Sequence, residues 1–281
     1  MQNQKTFSPI SITECLNLIG LHPDAKLLAG GTDLLVRLKD QTNWPIIIDI
    51  SHIEEMKGIS VGDDKIIIGA LTVFSDIAEN KIILKNAGVL AQAAEIVGSP
   101  QIRNRATIGG NVANASPAGD SIPPLFVLNA KLKIIKAGEE KIIPIDSFFQ
   151  APGKTILEKN ELIASIIIPK NENARGAFSR LGQRKSLAIS KVSLAALLKF
   201  SDEKVEEARI ALGAVAPTVI RAPKTEKFLT GKILDSGTIT EAKKIICEEV
   251  APISDIRSTA EYRKEMCGEL LEQAIEKLIS E

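Results

Sequence analysis

The sequence predicts an α+β protein with a two-part leading domain and a trailing α+β domain. Three observations support this. At 281 residues the chain is longer than one typical domain. β-Branched runs at Ile46 to Ile50, Lys65 to Ile68 and Leu162 to Ile168 read as buried strands among segments with helical spacing. The polar connector Asn171-Glu172-Asn173 is followed first by strand-like and then by helix-like segments. We therefore expect a leading domain over residues 1–170, with lobes of about 1–57 and 58–170, and a trailing domain over 171–281.

In chain order, Ser11-Ile12-Thr13-Glu14 has capping-box spacing and opens a helix with Leu16 and Ile19 on its apolar face and Gly20 as its stop. Lys26 to Ala29 is a short strand entering Gly30-Gly31, after which Thr32 or Asp33 can cap a helix carrying Leu34, Leu35 and Leu38. The second lobe starts with the strand at Lys65 and continues with helices near Thr72 to Glu79 and from Asn86 to Val97. Leu90, Ala91, Ala94 and Val97 form the inner face of the latter. A loop over residues 106–120 precedes a helix near Ser121 to Pro124, and strands follow at Leu132 to Lys136, Lys141 to Ile145 and Leu162 to Ile168. Beyond the connector, Phe178 to Gln183, Val192 to Phe200 and Val205 to Ala214 read as strands, the last two joined by a tight turn at Ser201 to Lys204. Helices over Ile239 to Val250 and Thr259 to Ile279 close the chain, with Met266, Leu270, Ala274 and Leu278 near helical spacing.

Composition excludes several functions. Basic and acidic residues cancel at 35 each, so no surplus of cations exists to neutralise a nucleic-acid backbone. No apolar run approaches the roughly 20 residues that span a bilayer, and the first residues lack a signal-peptide layout, so a cytoplasmic protein is expected. Cys15, Cys247 and Cys267 are far apart and read as buried or helix-face thiols, not as a disulfide or cluster ligand set. His22 and His52 are isolated, which argues against a histidine metal site or catalytic triad.

Two glycine-pair segments could carry chemistry: Leu28-Ala29-Gly30-Gly31-Thr32-Asp33-Leu34, and Thr107-Ile108-Gly109-Gly110-Asn111 running on through Ser116 to Asp120. A diphosphate requires close approach to backbone amides, which glycine permits, and a helix N-terminus adds partial positive charge. Neither turn contains lysine, and both the Walker pattern and G-x-G-x-x-G are absent, so charge would be met by amide nests and helix dipoles. One glycine pair alone is an ordinary tight turn. Two, together with a long side-chain-poor segment that would be costly to order, point to a bound ligand.

The runs AGGTDLLVRLK (29–39) and RNRATIGGNVANASPAGDSIPPL (103–125) resemble the paired FAD loops of the flavin-carrying medium subunits of molybdenum hydroxylases, the xanthine dehydrogenase and carbon monoxide dehydrogenase family. Segments 161–169, 178–193 and 254–266 are similar to that family in order and spacing, so the resemblance spans nearly the whole chain. It implies a PCMH-type FAD-binding domain, a small α+β lobe plus a larger mixed-sheet lobe, followed by a C-terminal α+β domain. It also implies that Leu27, Leu28, Ala29, Gly30, Gly31, Thr32, Asp33 and Leu34 wrap the FAD pyrophosphate, with Thr107, Ile108, Gly109, Gly110, Asn111 and Ser116 along the other side. Asp120 is implied against the adenosine part, although a plain helix N-cap is the other reading, and Ile163 and Val97 are implied as packing positions. Arg180, or alternatively Arg184 or Lys185, would bring a cation to the flavin ring; a solvated strand face is the competing reading. Arg103 and Arg105 are read as partner-facing or structural.

The same resemblance implies a hetero-oligomeric electron-transfer complex. A molybdopterin-binding large subunit would oxidise substrate, a 2Fe-2S small subunit would relay electrons, and this chain would pass them through FAD to NAD or another acceptor. Molybdopterin and iron-sulfur clusters are expected in the partners alone. Two rivals remain: a stand-alone FAD oxidoreductase, for which Glu161 or Arg175 could be imagined as a catalytic group, and a non-catalytic scaffold.

Overall fold

The structure, a computed structural model, describes residues 5–184 and 187–280. In the first lobe, β1 (Thr6–Phe7), α1 (Ile12–Leu21), β2 (Lys26–Leu28), α2 (Leu34–Leu38) and β3 (Ile47–Asp49) form a sheet ordered β1-β3-β2 with both neighbours parallel to β3. The central position explains the β-branched run, because Ile48 is fully buried there. Ser11 caps α1 by accepting from the Glu14 amide, whereas Glu14 reaches back to the amide of Ile10 at 2.9 Å, one residue beyond a standard capping box. Gly20 does not stop this helix. It lies inside α1, which ends one residue later where the His22 amide bonds Leu18. Glycine lowers helix propensity by about 1 kcal/mol without preventing the last turn from closing.

The second lobe comprises β4 (Ile59–Val61), β5 (Lys65–Gly69), α3 (Phe74–Glu79), α4 (Lys81–Asn86), α5 (Gly88–Glu95), α6 (Pro100–Arg103), α7 (Ile108–Asn114), α8 (Ile122–Val127), β6 (Lys131–Lys136), β7 (Glu139–Pro144), β8 (Phe149–Ala151), β9 (Lys154–Thr155) and β10 (Leu162–Pro169). Its main sheet runs β4-β5-β10-β6-β7, antiparallel throughout, and β8 pairs with β9 as a separate hairpin. Two expectations change here. The helix read from Asn86 to Val97 is α5, shorter at both ends, and it is preceded across a kink at Ala87 by a separate helix that was not expected, α4, which the Asn80 side chain starts by accepting from the amides of Ile82 and Ile83. Val97 falls beyond α5 and is only half-buried. The segment read as a loop over residues 106–120 contains α7, with both glycines of the second pair in its first turn.

The trailing unit has β11 (Ala174–Leu181), β12 (Val192–Ser201), β13 (Lys204–Gly213) and β14 (Ile220–Arg221) in sequential antiparallel order, then α9 (Pro223–Leu229), α10 (Ser236–Glu248) and α11 (Ala260–Ser280). The β12–β13 turn is tight, as expected, with Asp202 at φ 53°. β12 is buried on both faces. Leu194, Ala196 and Leu198 enter a core shared with α10 and α11, while Ala195 and Leu197 enter the core of the leading domain. On α11, Leu270, Ala274 and Leu278 are buried as their spacing predicts, and Met266 packs at the margin. Each fully buried aliphatic side chain of this kind contributes roughly 1.5–3 kcal/mol. None of the helices among the described residues is long and apolar enough to cross a membrane.

Candidate dinucleotide cleft

The two glycine pairs meet. A cleft of about 290 Å³ is lined by Leu27, Ala29, Gly30, Gly31, Thr32, Asp33 and Leu34 from the first segment, by Thr107, Gly109, Gly110 and Asn111 from the second, and by Ile163 of β10. Its remaining walls are mostly apolar, including Ile50, Met56, Leu71, Leu157 and Leu162. The sequence did not single out these residues, since apolar positions distant along the chain look like ordinary core. Asn114, at the end of α7, also lines the cleft and was not anticipated.

The glycines serve different ends. A Cβ on Gly30 would lie 1.8 Å from the carbonyl oxygen of Arg105, so this position lets the first turn rest directly on the chain entering α7. Gly109 is needed for a similar reason, because a Cβ there would lie 2.6 Å from the Ala70 Cβ. Gly31 has φ 76°, a left-handed conformation that disfavours other residues. Only Gly110 opens outward: an added Cβ would meet nothing within 4 Å except Thr107 Oγ1, at 2.8 Å.

Hydrogen bonding separates the two turns further. Among the described residues, no hydrogen bond within the chain engages the amides of Gly30, Gly31, Thr32 or Asp33. By contrast, the first amides of α7 are already used: Ile108 donates to Thr72, Gly109 to Ala70, Gly110 to Thr107 Oγ1 and Asn111 to the Thr107 carbonyl. The expectation that both segments present free amides is therefore corrected. The first offers donors, and the second forms a wall whose amides are tied to the exit of β5 and to its own cap.

Several residues assigned by resemblance lie outside the cleft. Leu28 and Ile108 are adjacent in the chain but do not line it; Ile108 is wholly buried, and the Leu28 carbonyl accepts from Ile50. Ser116 accepts from the Ala118 amide in its own turn, and the Val97 carbonyl accepts from Arg103 at 3.2 Å. Asp120 and Arg180 face each other: Arg180 Nη1 donates to Asp120 Oδ2 at 2.5 Å, and Ser190 Oγ donates to Asp120 Oδ1 at 2.6 Å. Arg180 Nη2 also donates to the Ile96 carbonyl at 2.8 Å. Burial pushes the Asp120 carboxyl above the usual carboxylate range, against the pull of Arg180 and Ser190. With both carboxylate oxygens engaged and the guanidinium held by Asp120 and by the Ile96 and Ala188 carbonyls, neither side chain lines the glycine cleft. Arg180 and Arg184 border a separate cleft of about 840 Å³ between α5, β11 and α11, and Arg184 bonds the Leu187 carbonyl. Lys185 lies outside the described residues.

The residues imagined for a stand-alone catalyst have structural work. Glu161 is buried. Desolvation pushes its carboxyl up, but the Glu158 amide and Lys141 outweigh that and leave it below its ordinary value. Arg175 donates to the Leu278 carbonyl at 3.0 Å and lies over the Phe200 ring. Burial raises the Cys15 and Cys267 thiols to about 11 and about 12, so both are unreactive at neutral pH. His22 stacks on Phe7 with ring centroids 5.0 Å apart. Arg105 gives its backbone to the contact with Gly30.

A neutral floor of unpaired amides, walled by apolar side chains, suits a dinucleotide: the amides match a diphosphate and the walls match a flat ring. The two-lobed α+β domain and this cleft thus define a dinucleotide-binding protein that lacks the Rossmann pattern. Comparison with known proteins agrees over nearly the whole chain. The FAD binding domain of molybdopterin dehydrogenases matches residues 2–171, and the C-terminal domain of CO dehydrogenase flavoproteins matches 177–278. The chain is 33% identical to a putative xanthine dehydrogenase FAD-binding subunit of Escherichia coli K12, covering 96% of this chain and 93% of that one. It is 34% identical to the carbon monoxide dehydrogenase medium chain of Hydrogenophaga pseudoflava, covering 95% and 94%. A solved structure of carbon monoxide dehydrogenase from Hydrogenophaga pseudoflava superposes with a TM-score of 0.93 at 32% identity, covering 99% of this chain and 97% of that one. The chain belongs to the FAD-binding subunits of the xanthine dehydrogenase and carbon monoxide dehydrogenase family, and is an FAD-dependent oxidoreductase subunit.

Proposed function

We propose that this chain is the flavin-carrying subunit of a molybdenum hydroxylase complex, in which FAD receives electrons from a 2Fe-2S small subunit and delivers them to NAD or another acceptor, while a molybdopterin-binding large subunit oxidises the substrate. The observation that carries this reading is the convergence of two glycine pairs on one cleft with four unengaged amides. When bound, FAD supplies a centre that exchanges one or two electrons. The protein's part is to hold and shield it. The amides of Gly30, Gly31, Thr32 and Asp33 receive the diphosphate; Gly110 leaves room beside them; Leu162, Ile163 and Leu157 wall a planar ring away from water. Asn111 Oδ1 accepts from Ser121 Oγ at 2.8 Å, which orients its amide group at the cleft edge.

The test is to isolate the chain with its natural partners and record the visible spectrum and metal content. Oxidised-flavin absorbance with stoichiometric molybdenum and iron is the expected result. A coloured chain that never carries partner metals supports a stand-alone flavoprotein, and a colourless chain that cannot be reconstituted with FAD supports a scaffold.

A further inference from the structure

The floor of the cleft is neutral, but its lip carries charge. Asp33 is the single charged side chain among the described lining residues, and a carboxylate beside a diphosphate repels it. Arg37 stands one helical turn further along α2. Its Nη2 lies 2.8 Å from Asp33 Oδ2 and donates to Asn114 Oδ1 at 2.5 Å. Asp33 opens α2 and Asn114 ends α7, and both line the cleft. One guanidinium therefore bridges the two elements that flank the mouth, linking the first lobe to the second.

We infer that Arg37 is a clasp for the diphosphate, a positioning and binding residue that rests on the FAD reading above. It cancels the Asp33 charge that would oppose a dianion. It also brings a guanidinium to the cleft mouth through its contacts with the lining residues Asp33 and Asn114, where it can turn part of its fork from Asn114 to a phosphate oxygen. Its side chain is 62% exposed, so this rotation requires no repacking and the effect is open to screening by salt. The amides define the place, and Arg37 sets how long an anion stays there.

The experiment uses the full chain reconstituted with FAD and follows flavin release by fluorescence in wild type, Arg37→Gln, Asp33→Asn and the double variant. Glutamine keeps a donor for Asn114 while removing the charge. Arg37→Gln should release FAD about fivefold faster at low salt, the scale of one exposed ion pair, and the difference should shrink toward none at high salt. Asp33→Asn in that background should restore most of the lost retention. Equal release rates at low salt overturn the clasp. So does faster release that ignores salt, is not rescued by Asp33→Asn and accompanies a lowered melting temperature of the apo chain, because that pattern marks a purely structural tie between lobes. Failure of the wild-type chain to take up FAD at all would instead overturn the reading on which the clasp rests.

Discussion

The glycine cleft and the Asp120–Arg180–Ser190 knot sit in neighbouring parts of one molecule but are made of opposite materials. The cleft is built from main chain: free amides, absent side chains and apolar walls. The knot is built from side-chain charge, buried and mutually satisfied. Residue types suggest that the acid and the base both serve the ligand. In the fold the two bond each other across the domain boundary, a pairing that residue types alone do not reveal.

The largest effect should come from breaking the knot. Asp120→Ala leaves a buried guanidinium uncompensated and should cost about 3–5 kcal/mol in a denaturant titration. Protein that remains folded should keep its flavin; a folded but colourless Asp120→Ala would return this carboxylate to the cofactor. Gly30→Ala comes next. The methyl would collide with the Arg105 carbonyl, so the first turn must lift, costing about 3 kcal/mol and flavin retention together. Gly110→Val should separate these properties. The added Cβ meets only the Thr107 cap, so stability should fall by about 1 kcal/mol while flavin occupancy is lost. Full occupancy in that variant would move the diphosphate elsewhere.

The smallest effect is a pH signature that charge-built sites have and the cleft lacks. Arg257 and Arg263 hold the Asp255 carboxyl well below its ordinary value, Arg257 being the larger cause. A depressed folded-state value means the stabilisation is present above the unfolded value of about 3.9 and is lost as pH falls toward the folded one. The melting-temperature gap between wild type and Asp255→Asn should therefore be wide at neutral pH and narrow as the solution is acidified through that range. Gly110→Ala should show no such trend relative to wild type.

Strand positions were legible for two reasons: isoleucine-rich runs mark β3, β5 and β10, and the Leu/Ala-rich β12 and the alternating β13 flank the polar turn at Ser201 to Lys204. Short elements were not. β4 is three residues between glycines, and α6 is four residues whose start depends on Ser99 accepting from Ile102. α9 carried a readable cue, Pro223 in its first turn, that passed unused. At the site, the two glycine pairs were visible, but their division of labour was not. Whether an amide is free depends on Thr72 and Ala70, which approach α7 only in the folded chain. Arg37 could have been suspected, since an aspartate four residues before an arginine is an ordinary helical pair, whereas Asn114 gives no such hint.

The doubly buried β12 limits how this gene can be cut and rejoined. Residues 171–173 look like an ideal crossover point, polar and between units, yet Ala195 and Leu197 just beyond mesh with side chains encoded long before it. A chimera taking its leading half from one relative and its trailing half from another would inherit two unmatched surfaces, and either half expressed alone would present bare hydrocarbon to water.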